Sequence, residues 1–203
     1  MDNKKIIIVV VIFSLVLLSV VGTYAFFSTE AGSTNGALSA STAKFTISLD
    51  VRGVYTNIDL IPMDDNLVLT GYDNNCVDDN SYNVCQVYSI TLKNNSGTGQ
   101  DERLLGTINF NLNQIKNLSY VLIDENKNFY TEPTEVYGAD KLSLGNYVNL
   151  RDGDSKIFYL IIWLSDNDDN QTNDDAGGRF DASVTYTGIT GDNLSSMITG
   201  TIN

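Results

Sequence analysis

The stretch Phe180-Asp181-Ala182-Ser183-Val184-Thr185-Tyr186-Thr187 decides the fold. Its apolar residues fall on every second position, which places them on one face of an extended chain, so the stretch reads as a half-buried β-strand. The same period recurs upstream. Phe45, Ile47, Leu49 and Val51 alternate with Lys44, Thr46, Ser48 and Asp50. Tyr88, Ile90 and Leu92 alternate with Ser89, Thr91 and Lys93, and Ile108, Phe110 and Leu112 with Thr107, Asn109 and Asn111. Leu118–Ile123 is a shorter candidate. Ile157-Phe158-Tyr159-Leu160-Ile161-Ile162-Trp163-Leu164 is apolar without a break. That pattern predicts a strand buried on both faces or in the middle of a sandwich; a helix is the rival, but Arg151-Asp152-Gly153-Asp154 before it and the Asp/Asn-rich loop after it bound the run at strand length. The spacing leaves room for one short amphipathic helix, around Asn113–Asn117.

The connections are rich in Asn, Asp and Gly: Asn94-Asn95-Ser96-Gly97, Asp124-Glu125-Asn126-Lys127-Asn128, Asp152-Gly153 and Ala176-Gly177-Gly178. Such residues tolerate a left-handed backbone and hydrogen-bond their own main chain, as turns require. Short alternating strands joined by turns predict an all-β fold, a single β-sandwich over residues 44–203.

The N-terminus carries a different signal. Lys4 and Lys5 precede an apolar run, Ile6–Val21, broken only by Ser14 and Ser19. A basic start, an apolar stretch and a small-x-small exit form a secretory signal peptide. Thr23 and Ala25 are the small residues, which puts the cut before Phe26 and makes residues 1–25 a signal helix. Counting through Phe27 gives a run long enough to span a bilayer, so residues 6–27 touch membrane before cleavage. An uncleaved anchor is the rival reading. No basic residue follows until Lys44, so a basic stop-transfer flank is missing.

The chain has 12 basic and 25 acidic residues, net −13, and no histidine. Cleavage removes Asp2, Lys4 and Lys5, leaving 10 basic against 24 acidic. This charge repels nucleic acid and anionic lipid. Lack of histidine excludes Ser-His-Asp triads, Cys-His nucleophiles and His-ligated zinc. No catalytic residues are assigned and the chain is read as a non-enzyme. Cys76 and Cys85 are the only cysteines, and in an exported chain they read as one disulfide.

The densest group of oxygen ligands is Asp166-Asn167-Asp168-Asp169-Asn170-Gln171-Thr172-Asn173-Asp174-Asp175. Asp166, Asp168, Asn170, Asp174 and Asp175 are the calcium candidates, because D-x-D-x-N opens calcium loops. Position six is Gln171 rather than glycine, and position twelve is Gly177 rather than glutamate. A solvated hairpin loop explains the same residues. Asp73-Asn74-Asn75 with Asp78 and Asp79 is a second such cluster. Apart from calcium, no cofactor is expected.

The junction Val21-Gly22-Thr23-Tyr24-Ala25-Phe26-Phe27-Ser28, followed by small residues and then a strand, resembles the TasA/camelysin family. Trp163–Gln171 running into Gly177–Val184 looks like that family's C-terminal strand, loop and strand. The resemblance implies a jelly-roll-like sandwich, cleavage by a SipW-type signal peptidase, and export from a Gram-positive cell into biofilm-matrix fibres. It implies copies of the chain, or related matrix subunits, as partners. Residues 26–43 become the donor strand that completes a neighbour's sheet, with Phe26 and Phe27 as apolar anchors. Some family members are described as metalloproteases, which these residues do not support. The alternative function is a cell-surface binding module, held by an uncleaved helix and presenting its acidic loops; a secreted hydrolase is the least supported.

Overall fold

The period-two stretches form the strands they predict, with Lys44, Phe45 and Thr46 outside the described residues. In a computed structural model of the chain, residues 47–56, 59–97, 99, 101–136, 141–166, 178–190 and 193–202 are described. All belong to the unit Gly32–Asn203. The signal helix, the junction Thr23-Ala25-Phe26 and the leader 26–43 with Phe27 lie outside the described residues.

Ten strands are described: β1 (Ile47–Tyr55), β2 (Cys85–Asn94), β3 (Glu102–Asn113), β4 (Leu118–Asp124), β5 (Thr134–Glu135), β6 (Lys141–Ser143), β7 (Val148–Leu150), β8 (Ser155–Leu164), β9 (Arg179–Thr190) and β10 (Asn193–Ile202). They make two antiparallel sheets. Sheet 1 runs β1-β2-β8-β4-β5; sheet 2 runs β10-β9-β3-β6, with β7 also on β3. The fold is an all-β sandwich. Some pairings are nested, β2 with β8, β3 with β7 and β6, β4 with β5, while β3 also pairs β9 across them.

Alternation assigns the faces. Ile90, Leu92, Phe158, Leu160, Ile162, Tyr120 and Leu122 of sheet 1 meet Leu104, Ile108, Phe110, Val184 and Tyr186 of sheet 2 in the main core. Polar groups tie the sheets as well. Asn94 Nδ2 donates to the Leu150 carbonyl at 3.1 Å, and the Tyr120 hydroxyl to the Ser143 carbonyl at 2.9 Å. A buried side-chain donor held this way costs little to bury.

The unbroken run of β8 is explained by a second core. Ile161 and Trp163 point away from the main core and join Val87, Val121 and Ile123 on the outer face of sheet 1. The segment between β1 and β2 folds back over that face with Met63, Val68, Cys76 and Val84. It contains a 3-10 turn (Asp65–Leu67) and one short helix, α1 (Val68–Asp73). The helix expected around Asn113–Asn117 is absent. Asn113 ends β3, and Gln114 has φ +64°, a left-handed turn conformation that stops a helix before it starts. The shorter candidate Leu118–Ile123 is a strand buried on both faces.

Candidate functional site

The cover over sheet 1 is the most elaborated surface of the described molecule. Asp64 accepts from the Asn66 N–H at 2.9 Å and starts the 3-10 turn. The next residue, Asp65, is the latch. Its carboxylate accepts the Trp163 indole N–H at 2.8 Å, from the end of β8, and the hydroxyl of Ser165, just past that strand. Trp163 and Ser165 are buried while Asp65 is exposed, so a solvent-side anion satisfies two donors in the interior. The backbone repeats the tie. Met63 donates to the Leu164 carbonyl at 2.9 Å, and Asp166 to the Met63 carbonyl at 3.0 Å.

The far end of the cover is pinned covalently. Cys76 and Cys85 form a disulfide, both fully buried, with Cα atoms 4.9 Å apart. Asn75 and Cys76 have φ of 59° and 62°, which L residues reach at a cost. The Tyr55 hydroxyl donates to Asn75 Oδ1 at 2.6 Å, and Lys127 pairs with Asp73 at 2.5 Å. Tyr72 packs on Tyr159, ring centroids 5.7 Å apart. Burial, then the neighbouring Tyr159, raises the Tyr72 hydroxyl pKa.

The acidic loops use their carboxylates on their own chain. Asp78 accepts the N–H groups of Asn80 and Tyr82 at 2.9 and 2.8 Å. Asp124 accepts those of Asn126 and Asn128 at 2.8 and 2.9 Å, and the Asn128 side chain at 3.0 Å. The Asn128 side-chain bond is the main cause holding the Asp124 carboxyl below its ordinary pKa. Asp152 accepts from Gly99 at 2.7 Å and Gly97 at 2.8 Å, and those two N–H groups, Gly99 first, lower its pKa. These are loop-forming carboxylates of the Asx-turn kind. In the second cluster, Asp73 turns to Lys127, Asn75 to Tyr55 and Asp78 to its own turn. Among the described residues no group of three or more acidic or cysteine side chains is arranged to hold a metal ion.

The predicted site residues divide accordingly. The disulfide Cys76–Cys85 is present. Of the calcium candidates, Asp166 is exposed and ties to Met63 through its backbone. Asp168, Asn170, Asp174 and Asp175 lie outside the described residues, as do Thr23, Ala25, Phe26 and Phe27. Sequence reasoning missed Asp65, Trp163 and Ser165 as a unit. Their sequence separations of 98 and 100 residues leave no local trace.

No family model matches the chain, and no curated protein matches it. Among solved structures, the chain is similar to AvmM, described as catalysing macrocyclization in alchivemycin A biosynthesis. The TM-score is 0.36 at 6% identity, covering 82% of this chain and 94% of that one. It is also similar to a family 123 glycoside hydrolase from Clostridium perfringens, TM-score 0.35 at 10% identity, over 77% of this chain and 26% of the hydrolase. Likenesses this low carry no argument about activity. No helix among the described residues is long and apolar enough to cross a membrane.

Proposed function

We propose that this chain is an exported, non-enzymatic structural protein, a subunit of an extracellular matrix or fibre, freed for assembly when residues 1–25 are removed. The observation that carries this reading is the junction Thr23-Tyr24-Ala25-Phe26-Phe27 set ahead of a β-sandwich. Cleavage there gives a small-residue segment a free start, and a sandwich offers strand edges for it to pair with. Such donation from one subunit to the next does not close on itself and makes filaments. The buried disulfide supports an oxidising destination. The acidic surface supports solubility outside the cell.

The test is direct. N-terminal sequencing of the exported protein should begin at Phe26, and negative-stain microscopy of that protein should show filaments. Replacing Phe26 and Phe27 with aspartate should abolish them. An intact Met1 retained in the membrane fraction would overturn the reading in favour of an anchored surface module, and monomers at every concentration would overturn self-assembly.

A further inference from the structure

Sheet edges differ sharply in how they are guarded. Unpaired N–H and C=O groups on an edge invite another strand, and proteins blunt this with short strands, charges, prolines or bulges. Three of the four sides here follow that practice. β5 has two residues, and β6 and β7 three each. β1 is long but carries the ion pair Arg52–Asp50 at 2.7 Å and a register shift between Gly53 and Tyr55. β10 follows it only at its start, where the register shifts between Leu194 and Ser196. Its sequence, Asn193-Leu194-Ser195-Ser196-Met197-Ile198-Thr199-Gly200-Thr201-Ile202, has neither charge nor proline. It pairs only with β9 among the described residues, in unbroken register from Ser196 to Ile202.

The face beside that edge is equally uncharged at its centre. Register aligns Ser143 of β6, Thr107 of β3, Thr185 of β9 and Thr199 of β10 in one row across the outer face of sheet 2. Thr185 and Thr199 hydroxyls are 3.0 Å apart. Met197, on the same face, is 62% exposed. In a chain of net charge −13, copies repel one another over most of their surface. An uncharged edge is where they meet at least cost.

We infer that β10 is a self-docking edge, on which a second copy pairs antiparallel through its own β10 and joins the two copies of sheet 2 into one continuous sheet. A twofold axis perpendicular to the sheet makes this contact isologous. A register that sets Thr199 opposite its copy keeps the parity of the pleat, so Ile198 and Ile202 stay on the core side and the hydroxyl row continues across the junction. β1 runs close beside β10 without pairing to it. Gly200 lies against Val51 of β1 on the core side, where a Cβ would stand 2.7 Å from Val51 Cγ2, so an incoming strand must add in the plane of sheet 2, on the side of β10 away from β9. This pairing uses neither Phe26 nor Phe27, and it stands or falls independently of strand donation.

Sedimentation velocity on the exported chain, with hydrogen exchange of the β10 amides, tests it. The chain should reach a dimer as concentration rises, with β10 amides gaining protection alongside. Thr199→Lys sets like charges opposite each other and should weaken the dimer about tenfold or more. Thr107→Lys, two strands inside the sheet, should leave it unchanged. If circular dichroism shows that Thr199→Lys has lost its sheet, the double variant Met197→Lys with Thr201→Lys, positions that this register sets opposite each other, carries the same test. The inference is overturned by a monomer at all concentrations, by a dimer indifferent to the β10 lysines, or by a dimer lost only with Thr107→Lys, which would mean face packing. Protection of β10 that is independent of concentration would also overturn it, since the edge would then be covered from within one chain. Aspartates at Phe26 and Phe27 should remove filaments and spare the dimer, which separates the two readings.

Discussion

Asp65→Ala should loosen the cover over sheet 1 by an amount that can be worked out. The carboxylate accepts the Trp163 indole N–H at 2.8 Å and the Ser165 hydroxyl. A hydrogen bond to a charged group contributes about 1.5–3 kcal/mol, and an abandoned buried donor costs about 1–3 kcal/mol. The indole is fixed by its packing and cannot turn to another acceptor, whereas the hydroxyl can rotate. The net loss is therefore about 2–3 kcal/mol, roughly 4–12 °C in Tm for a unit the size of Gly32–Asn203. Asp65→Asn keeps an acceptor oxygen and should recover about half of it. Trp163 is the single tryptophan, so its emission reports this site alone. Guanidinium titration followed by fluorescence should show a lower midpoint and a red-shifted native spectrum for Asp65→Ala. If Asp65→Ala, Asp65→Asn and the parent unfold together with the same spectrum, the latch contributes nothing and the reasoning fails.

Four further outcomes are expected. Cys76→Ser with Cys85→Ser should lower unfolding free energy by about 2.5–3 kcal/mol, the chain-entropy value for closing a loop of this length, and reductant should do the same to the parent in a denaturant titration. Tyr186→Phe should raise stability by about 1 kcal/mol in the same assay, because the Tyr186 hydroxyl is buried with no hydrogen-bond partner among the described residues. Asp124 and Asp152 have lowered folded-state pKa values, so their contribution is present above the ordinary aspartate pKa and is lost as pH falls through the lowered values. Acid unfolding should therefore shift to higher pH when each is replaced by asparagine. Calcium titration by calorimetry should give no saturable heat; heat that disappears with Asp168→Ala and Asp174→Ala would make those residues ligands.

Several strands were legible where one face met water, although β10, Asn193–Ile202, was missed because its small polar residues and Gly200 leave only Ile198 and Ile202 as strong apolar marks from Ser196 onward. Phe180–Thr187 and Tyr88–Lys93 alternate because the pleat sorts their residues between core and solvent. The unbroken run Ile157–Leu164 correctly implied burial on both faces, but nothing local told what lay on the second face. The cover is built from scattered positions, Met63, Val68, Cys76 and Val84, with no common period. Its helix has only six residues and includes Gly71, too little for a 3.6-residue pattern to register. β5, β6 and β7 are likewise too short to alternate. The acidic loops were ambiguous for another reason. Asp and Asn serve equally as cation ligands and as partners for a turn's own N–H groups, and Asp78, Asp124 and Asp152 take the second role through geometry that sequence spacing does not specify.

The disulfide also changes what a protease can do to this molecule. Cys76 and Cys85 bracket a loop whose Asn80 and Tyr82 are exposed, the sort of site where extracellular proteases cut. A nick anywhere from Val77 to Val84 would leave both ends covalently joined. Val77 bridges Asn83, and Val84 N–H bonds the Cys76 carbonyl at 2.9 Å, so the ends would also stay in place. The exposed tip is thus expendable as a covalent link, and the cover over Trp163 can outlast its scission.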